Sequence, residues 1–385
     1  MVSCGEASGD LYAGALASAL KAQAPGTRVI GFGGERLAAA GAELAGDYRG
    51  IAVTGLTEVL RVLPRTWQMY RRLVELARHV RPDVFVPIDF PDFNFRLGAA
   101  VHRLGIPVVY YVSPQLWAWR PGRIDTLKTF VDKVLPIFPF ESEIYERAQV
   151  PVEFVGHPLI DLIEVVEPRN ALLTRLGLNP AAPMVALLPG SRPNEVRALL
   201  PVLADAVSLI RRSRPDATFV LARAPKLPDA LLDPVRQKAI PIVEGRTDDV
   251  IAASDVVLTA SGTATVQTAL HERPMVILYK LSPLTYRLGR PFVKVDTFGM
   301  ANLIAGRRVV PELIQDDCTA EKIAAEAVSL LTDSARTATM KKDLAEVRAR
   351  LGAPGASARA AAAVLAVAER HVSRGVPGRP APLHA

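Results

Sequence analysis

Cysteine is almost absent from this 385-residue sequence, which contains only Cys4 and Cys318. Two cysteines cannot form a disulfide framework, so the fold must be held by hydrophobic cores, and a reducing compartment is indicated. The sequence also lacks any group of Cys, His, Asp and Glu at metal-ligand spacing. The residues alone therefore indicate no metal site.

Long apolar runs are missing as well. No stretch reaches the roughly 20 residues that a membrane-spanning helix needs. The first six residues, MVSCGE, do not combine a basic start with an apolar core, so they do not resemble a signal peptide. We therefore expect neither a transmembrane helix nor a secretory leader.

The charge is basic, with 46 Lys and Arg against 39 Asp and Glu. This balance favours an anionic partner, whether nucleic acid, anionic lipid or a phosphorylated small molecule. The arginines are spread along the chain without a nucleic-acid-binding motif, so nucleic acid is not expected.

Short apolar runs alternate with helical segments through both halves of the chain. This alternation predicts an α/β protein with two doubly wound, Rossmann-like parallel sheets facing a cleft. The predicted strands are residues 2–4, 28–32, 83–88, 107–112, 133–138, 152–155, 184–188, 218–221, 240–243, 256–259 and 275–279. Because residues 2–4 are short for a central strand, we expect the native start to lie upstream.

Four segments are expected from this pattern. Residues 1–165 form the first domain and 166–350 the second domain, with a linker at about 161–171. Residues 351–373 form a helix that returns to the first domain or is exchanged in a dimer. The proline-rich residues 374–385 are expected to be disordered.

A predicted strand, 184–188, runs into the turn Pro189–Gly190 and then a helix. Ser191 stands where a helix N-cap is expected, and Arg192 adds a guanidinium group. Unpaired N–H groups at a helix start, together with arginine, suit a phosphate. The alternative is an ordinary strand-to-helix turn with a surface arginine.

A second small-residue loop, Ser261–Gly262–Thr263, follows the predicted strand 256–259. It also opens a helix at the carboxyl end of a strand. Two backbone-amide sites of this kind in one domain are enough to hold a nucleoside diphosphate.

Polar residues also follow strands of the first half. Asp89 comes directly after the run 84–88, and a carboxylate there is suited to accepting a proton from an attacking hydroxyl. Glu6 and Ser8 follow the first strand, where an acidic helix-capping turn is the alternative. The loop after 107–112 contains two tryptophans that favour a sugar or acyl wall, or a cover for the core.

Residues 65–80 form a basic amphipathic helix in this interpretation. Its apolar side is formed by Trp67, Tyr70, Leu73, Val74 and Ala77. Such a helix suits a membrane interface, although packing against the sheet explains the same pattern.

Taken together, the motifs resemble one enzyme family. They are, in order, Gly5-Glu-Ala-Ser-Gly-Asp10, Asp89-Phe-Pro-Asp-Phe-Asn94, Tyr111-Val-Ser-Pro-Gln-Leu-Trp-Ala-Trp-Arg120, Pro139-Phe-Glu141, Gly156-His-Pro158, Leu188-Pro-Gly-Ser-Arg192, Ala260-Ser-Gly-Thr263 and Asn302-Leu-Ile-Ala-Gly306. The set resembles the lipid-A-disaccharide synthases, which are inverting glycosyltransferases of the GT-B fold.

The resemblance implies a reaction on the cytoplasmic face of the inner membrane of bacteria with an outer membrane. The donor would be UDP-2,3-diacylglucosamine, and the acceptor the 6-hydroxyl of 2,3-diacylglucosamine 1-phosphate. The products would be a β-1,6-linked disaccharide 1-phosphate and UDP, with inversion. No cofactor or metal is implied, because arginine and amides would carry the diphosphate. A peripheral contact with the membrane and a homodimer are compatible with this reading.

The resemblance also implies residue roles. Asp89 would be the general base, and Arg192 would stabilise the leaving diphosphate. The other UDP-sugar contacts would be Gly190, Ser191, Ser261, Gly262, Thr263, Gln267 and Asn302. The acceptor side would be lined by Glu6, Ser8, Asn94, Trp117, Trp119 and Glu141.

One departure concerns Gln267, because the family usually has Glu at this position, where GT-B enzymes bind the ribose. Weaker UDP binding is the expected consequence. The alternatives are a catalytically impaired homologue that binds UDP-lipids, and another GT-B UDP-N-acetylglucosamine transferase or epimerase. A dinucleotide dehydrogenase is disfavoured because no G-x-G-x-x-G follows the first strand.

Overall fold

The computed structural model describes residues 1–50, 56–114, 122–225, 227–280, 297 and 299–373, without the side chains of 50 and 56–62. The chain divides into two compact units. Unit 1 comprises Met1–Asp161 and the chain from Gly352, and unit 2 comprises Leu162–Leu351. Trp117, Trp119 and the predicted tail 374–385 lie outside the described residues.

Unit 1 contains a six-stranded parallel sheet. Its strands are β1 Val2–Cys4, β2 Ile30–Gly33, β3 Glu43–Asp47, β4 Val86–Ile88, β5 Val109–Tyr111 and β6 Lys133–Leu135. Its helices are α1 Ala7–Gln23, α2 Glu35–Ala39, α3 Leu56–Val80, α4 Pro91–His102, α5 Arg123–Lys128, α6 Pro139–Arg147, α7 Leu159–Leu162, which crosses the unit boundary, and α16 Ala356–Ser373. A 3₁₀ turn spans Tyr48–Gly50.

Unit 2 contains a second six-stranded parallel sheet. Its strands are β7 Met184–Leu188, β8 Thr218–Arg223, β9 Ile242–Glu244, β10 Val256–Ala260, β11 Met275–Tyr279 and β12 Glu312–Ile314. Its helices are α8 Arg169–Arg175, α9 Pro193–Ser213, α10 Asp233–Arg236, α11 Thr247–Ala253, α12 Thr263–Leu270, α13 Met300–Ala305, α14 Ala320–Thr332 and α15 Ser334–Arg350. Short 3₁₀ turns span Asp229–Leu232 and Gln315–Asp317.

The two sheets share one strand order. In unit 1 it is β3-β2-β1-β4-β5-β6, and in unit 2 it is β12-β11-β10-β7-β8-β9. Each sheet starts at its centre, runs to one edge, and returns to build the other half. The order reverses between β1 and β4, and between β7 and β10. In open α/β sheets such a reversal opens a crevice for ligands at the carboxyl ends of the strands.

Buried apolar strands form the cores of both sheets. All residues of β4, β7 and β10 are buried. Strands covered by helices on both faces need continuous apolar side chains, which explains why the sequence shows uninterrupted runs here. The predicted α/β class with two doubly wound sheets is confirmed.

The prediction of a strand at residues 152–155 is wrong. Val152 makes a single parallel bridge to Val134 at the edge of the sheet, and the ladder stops there. Two strands escaped prediction, β3 and β12. Residues of β3 are half-buried or exposed, so its sequence, ELAGD, carries no apolar run to signal a strand. The predicted linker 161–171 contains the end of α7 and the start of α8.

The last helix packs within unit 1. α16 contacts α1, and the Gln23 side chain donates from Nε2 to the Ala358 carbonyl at 2.7 Å. Asp161 receives the Gly355 amide at 2.6 Å and the Ser357 amide at 3.2 Å, so this carboxylate holds the start of the helix. The chain therefore returns to unit 1 after completing unit 2.

Helix α3 divides its apolar residues between two environments. Leu73 and Ala77 are fully buried in the unit 1 core. Trp67 is 51% exposed and stacks on Tyr70, with ring centroids 5.1 Å apart. Tyr70 and Val74 are partly buried against the same core. Packing therefore accounts for most of the predicted apolar side, and Trp67 is the member that faces solvent. None of the helices in the described ranges is long and apolar enough to cross a bilayer.

Candidate active site

The two glycine loops of unit 2 meet where its strand order reverses. Gly190 has φ +110°, and a Cβ there would lie 2.6 Å from Glu195 Oε2 and 3.5 Å from Ala260 Cβ. Gly262 has φ +145°. Residues that carry a side chain rarely adopt these backbone angles, so both turns require glycine. The loops after β7 and β10 therefore lie side by side at the carboxyl edge of the sheet.

Each loop opens a helix whose first turn has no side-chain cap. Helix α9 begins at Pro193 with Arg192 as its N-cap, and α12 begins at Thr263 with Gly262 as its N-cap. The prediction of Ser191 as N-cap is wrong, because proline fits the first helical position and places the N-cap one residue later, at Arg192. Uncapped N–H groups and the positive helix end suit an anion.

Arg192 lies at this edge together with two groups that sequence reasoning did not assign. Its Nη1 is 3.3 Å from Glu195 Oε1, and the arginine side chain is 43% exposed. Tyr279, at the end of β11, has its pKa raised by burial and by Glu195, while Arg192 acts to lower it. The signal that could have identified Tyr279 is its position at the end of a predicted strand, β11, which pairs with β10. The arginine is thus fixed at its helix end and still reaches solvent.

Gln267 lies in the second turn of α12. Its Nε2 donates to Asp248 Oδ1 at 2.8 Å, and His271 Nε2 is 2.7 Å from the same oxygen. Asp248 belongs to the first turn of α11, directly after β9. Three polar side chains from two neighbouring helices therefore converge here.

Asn302 is buried, with 1% of its surface exposed. Its Nδ2 donates to the Val310 carbonyl at 3.0 Å and to Glu312 Oε1 at 2.6 Å. Its Oδ1 accepts from the amides of Val309 and Val310. Glu312 Oε1 also receives the Gly299 amide at 2.9 Å. Asn302 therefore joins the start of α13 to the chain that enters β12.

In unit 1, strained backbone collects where its strand order reverses. Asp89, Phe90 and Val112 have φ of 46°, 52° and 56°. The Asp89 amide donates to the Val112 carbonyl at 3.2 Å, so the strained ends of β4 and β5 are joined. Left-handed backbone costs about 1–3 kcal/mol per non-glycine residue and clusters at functional sites.

Buried polar groups hold the Asp89 backbone in place. Asn94 Nδ2 donates to the Asp89 carbonyl at 2.8 Å, and the Tyr110 hydroxyl donates to the same oxygen at 2.9 Å. Ser3 Oγ in turn donates to Asn94 Oδ1 at 2.7 Å. Asn94 is fully buried, so its contribution is to position this turn.

The loop after β1 lies against the same turn. A Cβ on Gly5 would overlap the Phe90 ring, so glycine is required there. Glu6 is the N-cap residue of α1 but makes no side-chain cap, and Ser8 is half-buried in the first helical turn. The structure thus brings Glu6 and Ser8 close to the Asp89 turn.

Glu141 is almost completely buried in unit 1. It is 1% exposed, in the first turn of α6. Burial raises the pKa of Tyr145, and the negative charge of Glu141 raises it further. That Glu141 lines the acceptor side stays a prediction.

Comparison with known proteins identifies the family. The model of the family described as "Lipid-A-disaccharide synthetase" matches residues 1–367. The lipid-A-disaccharide synthase of Koribacter versatilis is 45% identical over 380 residues, covering 96% of this chain and 98% of that protein.

Solved structures with low sequence identity share the fold. A putative UDP-N-acetylglucosamine 2-epimerase from Listeria monocytogenes has a TM-score of 0.64 at 15% identity, covering 100% of this chain and 99% of its own. A glycotransferase of kitacinnamycin has a TM-score of 0.63 at 18% identity, covering 95% and 98%. The fold is GT-B, and at these identities the likeness extends to the fold alone.

The motif order, the two Rossmann-like units and the whole-chain match agree. The chain belongs to the lipid-A-disaccharide synthase family of glycosyltransferases.

Proposed function

We propose that the protein transfers 2,3-diacylglucosamine from its UDP derivative to the 6-hydroxyl of 2,3-diacylglucosamine 1-phosphate, with inversion. The observation that carries the proposal is the chemistry at the two strand-order reversals. Unit 2 has an uncapped, arginine-bearing anion site, and unit 1 has a carboxylate on a strained, tightly held turn. Family membership supports the same reaction class.

The donor binds unit 2 in this proposal. Amide N–H groups at Gly190–Ser191 and Gly262–Thr263 donate to the diphosphate at the two helix starts. The Ser261 amide does not take part, because it donates to the Leu278 carbonyl at 3.0 Å. Negative charge grows on the leaving UDP, and Arg192 stabilises it with a forked donor set. Glu195, in ion-pair contact with Arg192, orients the guanidinium group. Asn302 acts by holding the start of α13.

The acceptor binds unit 1. The oxygen of the acceptor's 6-hydroxyl attacks the anomeric carbon of the donor, and Asp89 removes the proton of that hydroxyl as it attacks. Attack opposite the leaving diphosphate inverts the configuration in one displacement, so a single base is sufficient. Asn94 and Tyr110 keep the Asp89 backbone fixed, and Glu6 and Ser8 line the adjacent loop.

We further propose a peripheral contact with the cytoplasmic face of the inner membrane through α3. Trp67 is exposed, and the Arg71 guanidinium lies 5.3 Å from the centre of its indole ring. An exposed aromatic residue among arginines suits an anionic lipid interface. This location would give the enzyme access to substrates that carry acyl chains.

The test is a mass-spectrometric assay with both acylated sugars and no added metal. The expected products are a disaccharide 1-phosphate and UDP, with the new linkage shown to be β by NMR. Folded protein that binds UDP and forms no disaccharide would contradict the proposed transfer. UDP-N-acetylglucosamine in place of the acylated donor distinguishes another GT-B activity, because turnover with it alone would indicate a different substrate.

A further inference from the structure

Asp248 is a charged residue beside the proposed nucleotide site to which the family motifs assign no role. We propose that its carboxylate binds the ribose hydroxyls of the donor, with Gln267 as its partner and His271 as its support. This inference rests on the proposed function, because it names the ribose contact within the same UDP site.

The geometry fixes one oxygen of Asp248 and leaves the other available. Oδ1 receives Gln267 Nε2 at 2.8 Å and His271 Nε2 at 2.7 Å. A carboxylate only accepts, so both neighbours donate to it. Among the described residues, Oδ2 makes no hydrogen bond. The Asp248 side chain is 19% exposed and that of His271 is 9% exposed.

The supporting residues make the arrangement rigid. Gln267 lies in α12, and His271, four residues later, is the C-cap residue of the same helix, so the two side chains lie on one face. Both reach across to the first turn of α11. A carboxylate held by two donors keeps one rotamer, and its second oxygen then points in a fixed direction. A group ordered in advance loses less entropy when a ligand binds.

The position suits a ribose next to a bound diphosphate. Helix α12 begins at Thr263 beside Gly262, where the diphosphate is proposed to bind. Gln267 is four residues farther along, about 6 Å at the rise of an α-helix. The sugar attached to the diphosphate spans a comparable distance. Ribose offers two neighbouring hydroxyl donors, and Asp248 Oδ2 with Gln267 Oε1 offers two acceptors.

The chemistry also explains why glutamine is suited to position 267 in this chain. A glutamate there would lie about 3 Å from the Asp248 carboxylate, and like charges at that distance repel strongly. With glutamine, the negative charge stays on α11 and the amide donates to it. A hydroxyl bonded to an ionised acceptor is held more strongly than one bonded to an amide.

The experiment measures binding of UDP and of 2′,3′-dideoxy-UDP by calorimetry to the full chain. Asp248→Asn is expected to weaken UDP binding about tenfold and to leave dideoxy-UDP binding unchanged. Asp205→Asn, which removes an exposed acid from α9, is the control and is expected to bind both like the wild type.

A charge exchange provides the second variant. Gln267→Glu alone is expected to weaken UDP binding, because two carboxylates then face each other. Asp248→Asn combined with Gln267→Glu moves the single charge to α12 and is expected to restore most of the affinity. Thermal unfolding of each variant shows whether the fold is kept.

Two results would overturn the inference, and they are distinguishable. In the first, the wild type binds UDP, and the Asp248→Asn variant binds UDP equally well and still prefers UDP to dideoxy-UDP. This result removes only the ribose role of Asp248. A wild type that does not bind UDP removes the proposed donor site as well.

Discussion

At the scale of single residues, the Asp89 turn carries the clearest sign of function. Two consecutive residues, Asp89 and Phe90, hold left-handed backbone angles. Their cost of about 1–3 kcal/mol each must be offset by the surrounding structure. Asn94 and Tyr110 supply hydrogen bonds to the Asp89 carbonyl, and Gly5 leaves space for the Phe90 ring. The carboxylate is therefore presented from a rigid support.

Asp89→Asn tests the proposed base with little change in shape. Asparagine tolerates left-handed backbone, so the turn is expected to persist while the proton acceptor is lost. Transfer is expected to fall at least about 100-fold, in line with general-base contributions. UDP binding should be unchanged by calorimetry. Asp89→Ala should also abolish transfer.

The matched control for this experiment is Asp92→Asn. Asp92 is an exposed acid three residues later, paired with Arg123 at 2.6 Å. Transfer near the wild-type rate is expected for it. If Asp89→Asn were to lose UDP binding while remaining folded, or to keep full activity, Asp89 would not be the base.

Arg192→Ala tests the anion site. UDP binding is expected to weaken, and turnover to fall about 100-fold, because the leaving diphosphate loses a preorganised charge. Arg192→Lys should recover only part of the activity, since an ammonium lacks the forked donors. Arg197→Ala, at an exposed arginine of the same helix, is the control. Wild-type kinetics in Arg192→Ala would remove its diphosphate role.

Some of these residues can be identified from sequence and others cannot. Asp89 directly follows a buried apolar run, so its place at a strand's carboxyl end is readable. Asn94 and Asn302 look like ordinary polar residues in sequence. Their burial and their four-fold hydrogen bonding arise from neighbours distant in the chain, such as Ser3 and Glu312. Asp248 was missed for the same reason, because its partners are on another helix.

At the scale of secondary-structure elements, α3 shows how one amphipathic pattern serves two purposes. Leu73 and Ala77 pack in the core, and Trp67 projects into solvent beside Arg71. Periodicity predicts the apolar side of the helix. How far the sheet extends beneath it decides which of those residues are covered.

Trp67→Ser is expected to weaken binding to vesicles that contain phosphatidylglycerol. Transfer of a half-exposed indole into the lipid interface contributes roughly 1 kcal/mol or more, so a loss of about fivefold is expected in a co-sedimentation assay. Val166→Ser, at a residue that is 61% exposed in unit 2, is the control for lost apolar surface. Equal binding by wild type and Trp67→Ser would exclude this helix as the contact.

Strand positions also show the limit of pattern reading. Residues 184–188 and 275–279 were predicted with their observed bounds because they are buried on both faces. Of the four edge strands, β6 and β9 are predicted with shifted bounds, and β3 and β12 are not predicted. Edge strands bury fewer side chains, so their apolar pattern is weaker.

At the scale of the whole molecule, a buried histidine links the stability of unit 1 to pH. His157 is 1% exposed, with its ring 5.8 Å from that of Tyr12 and 5.3 Å from that of Phe138. Burial lowers its pKa from 6.5 to about 3. Its Nδ1 accepts the Leu159 amide at 3.2 Å, which fits a neutral ring.

The sign of the pH effect follows from these values. Below pH 6.5 the unfolded chain binds a proton at His157, and the folded chain does not until about pH 3. Stability of unit 1 is therefore expected to decrease as pH falls through this window. Urea unfolding at pH 7 and pH 5 measures the difference. His157→Asn, which keeps an acceptor but does not titrate, should reduce it.

His79→Asn is the control for this comparison. His79 is 74% exposed and pairs with Glu75 on α3. Its substitution is expected to leave the pH dependence close to that of the wild type. An unchanged slope in His157→Asn, with the same slope in His79→Asn, would show that other groups carry the acid sensitivity.

The sequence by itself determined the α/β class, the two sheets and most central strands, because burial on both faces imposes continuous apolar runs. It also determined the glycine turns and the family motifs, since both depend on residues close together in the chain. Tertiary structure decided which polar side chains are exposed at the strand ends and which are buried and bonded internally. Asn302, Glu141 and Asp248 received their surroundings from distant segments, and no local pattern specifies those contacts.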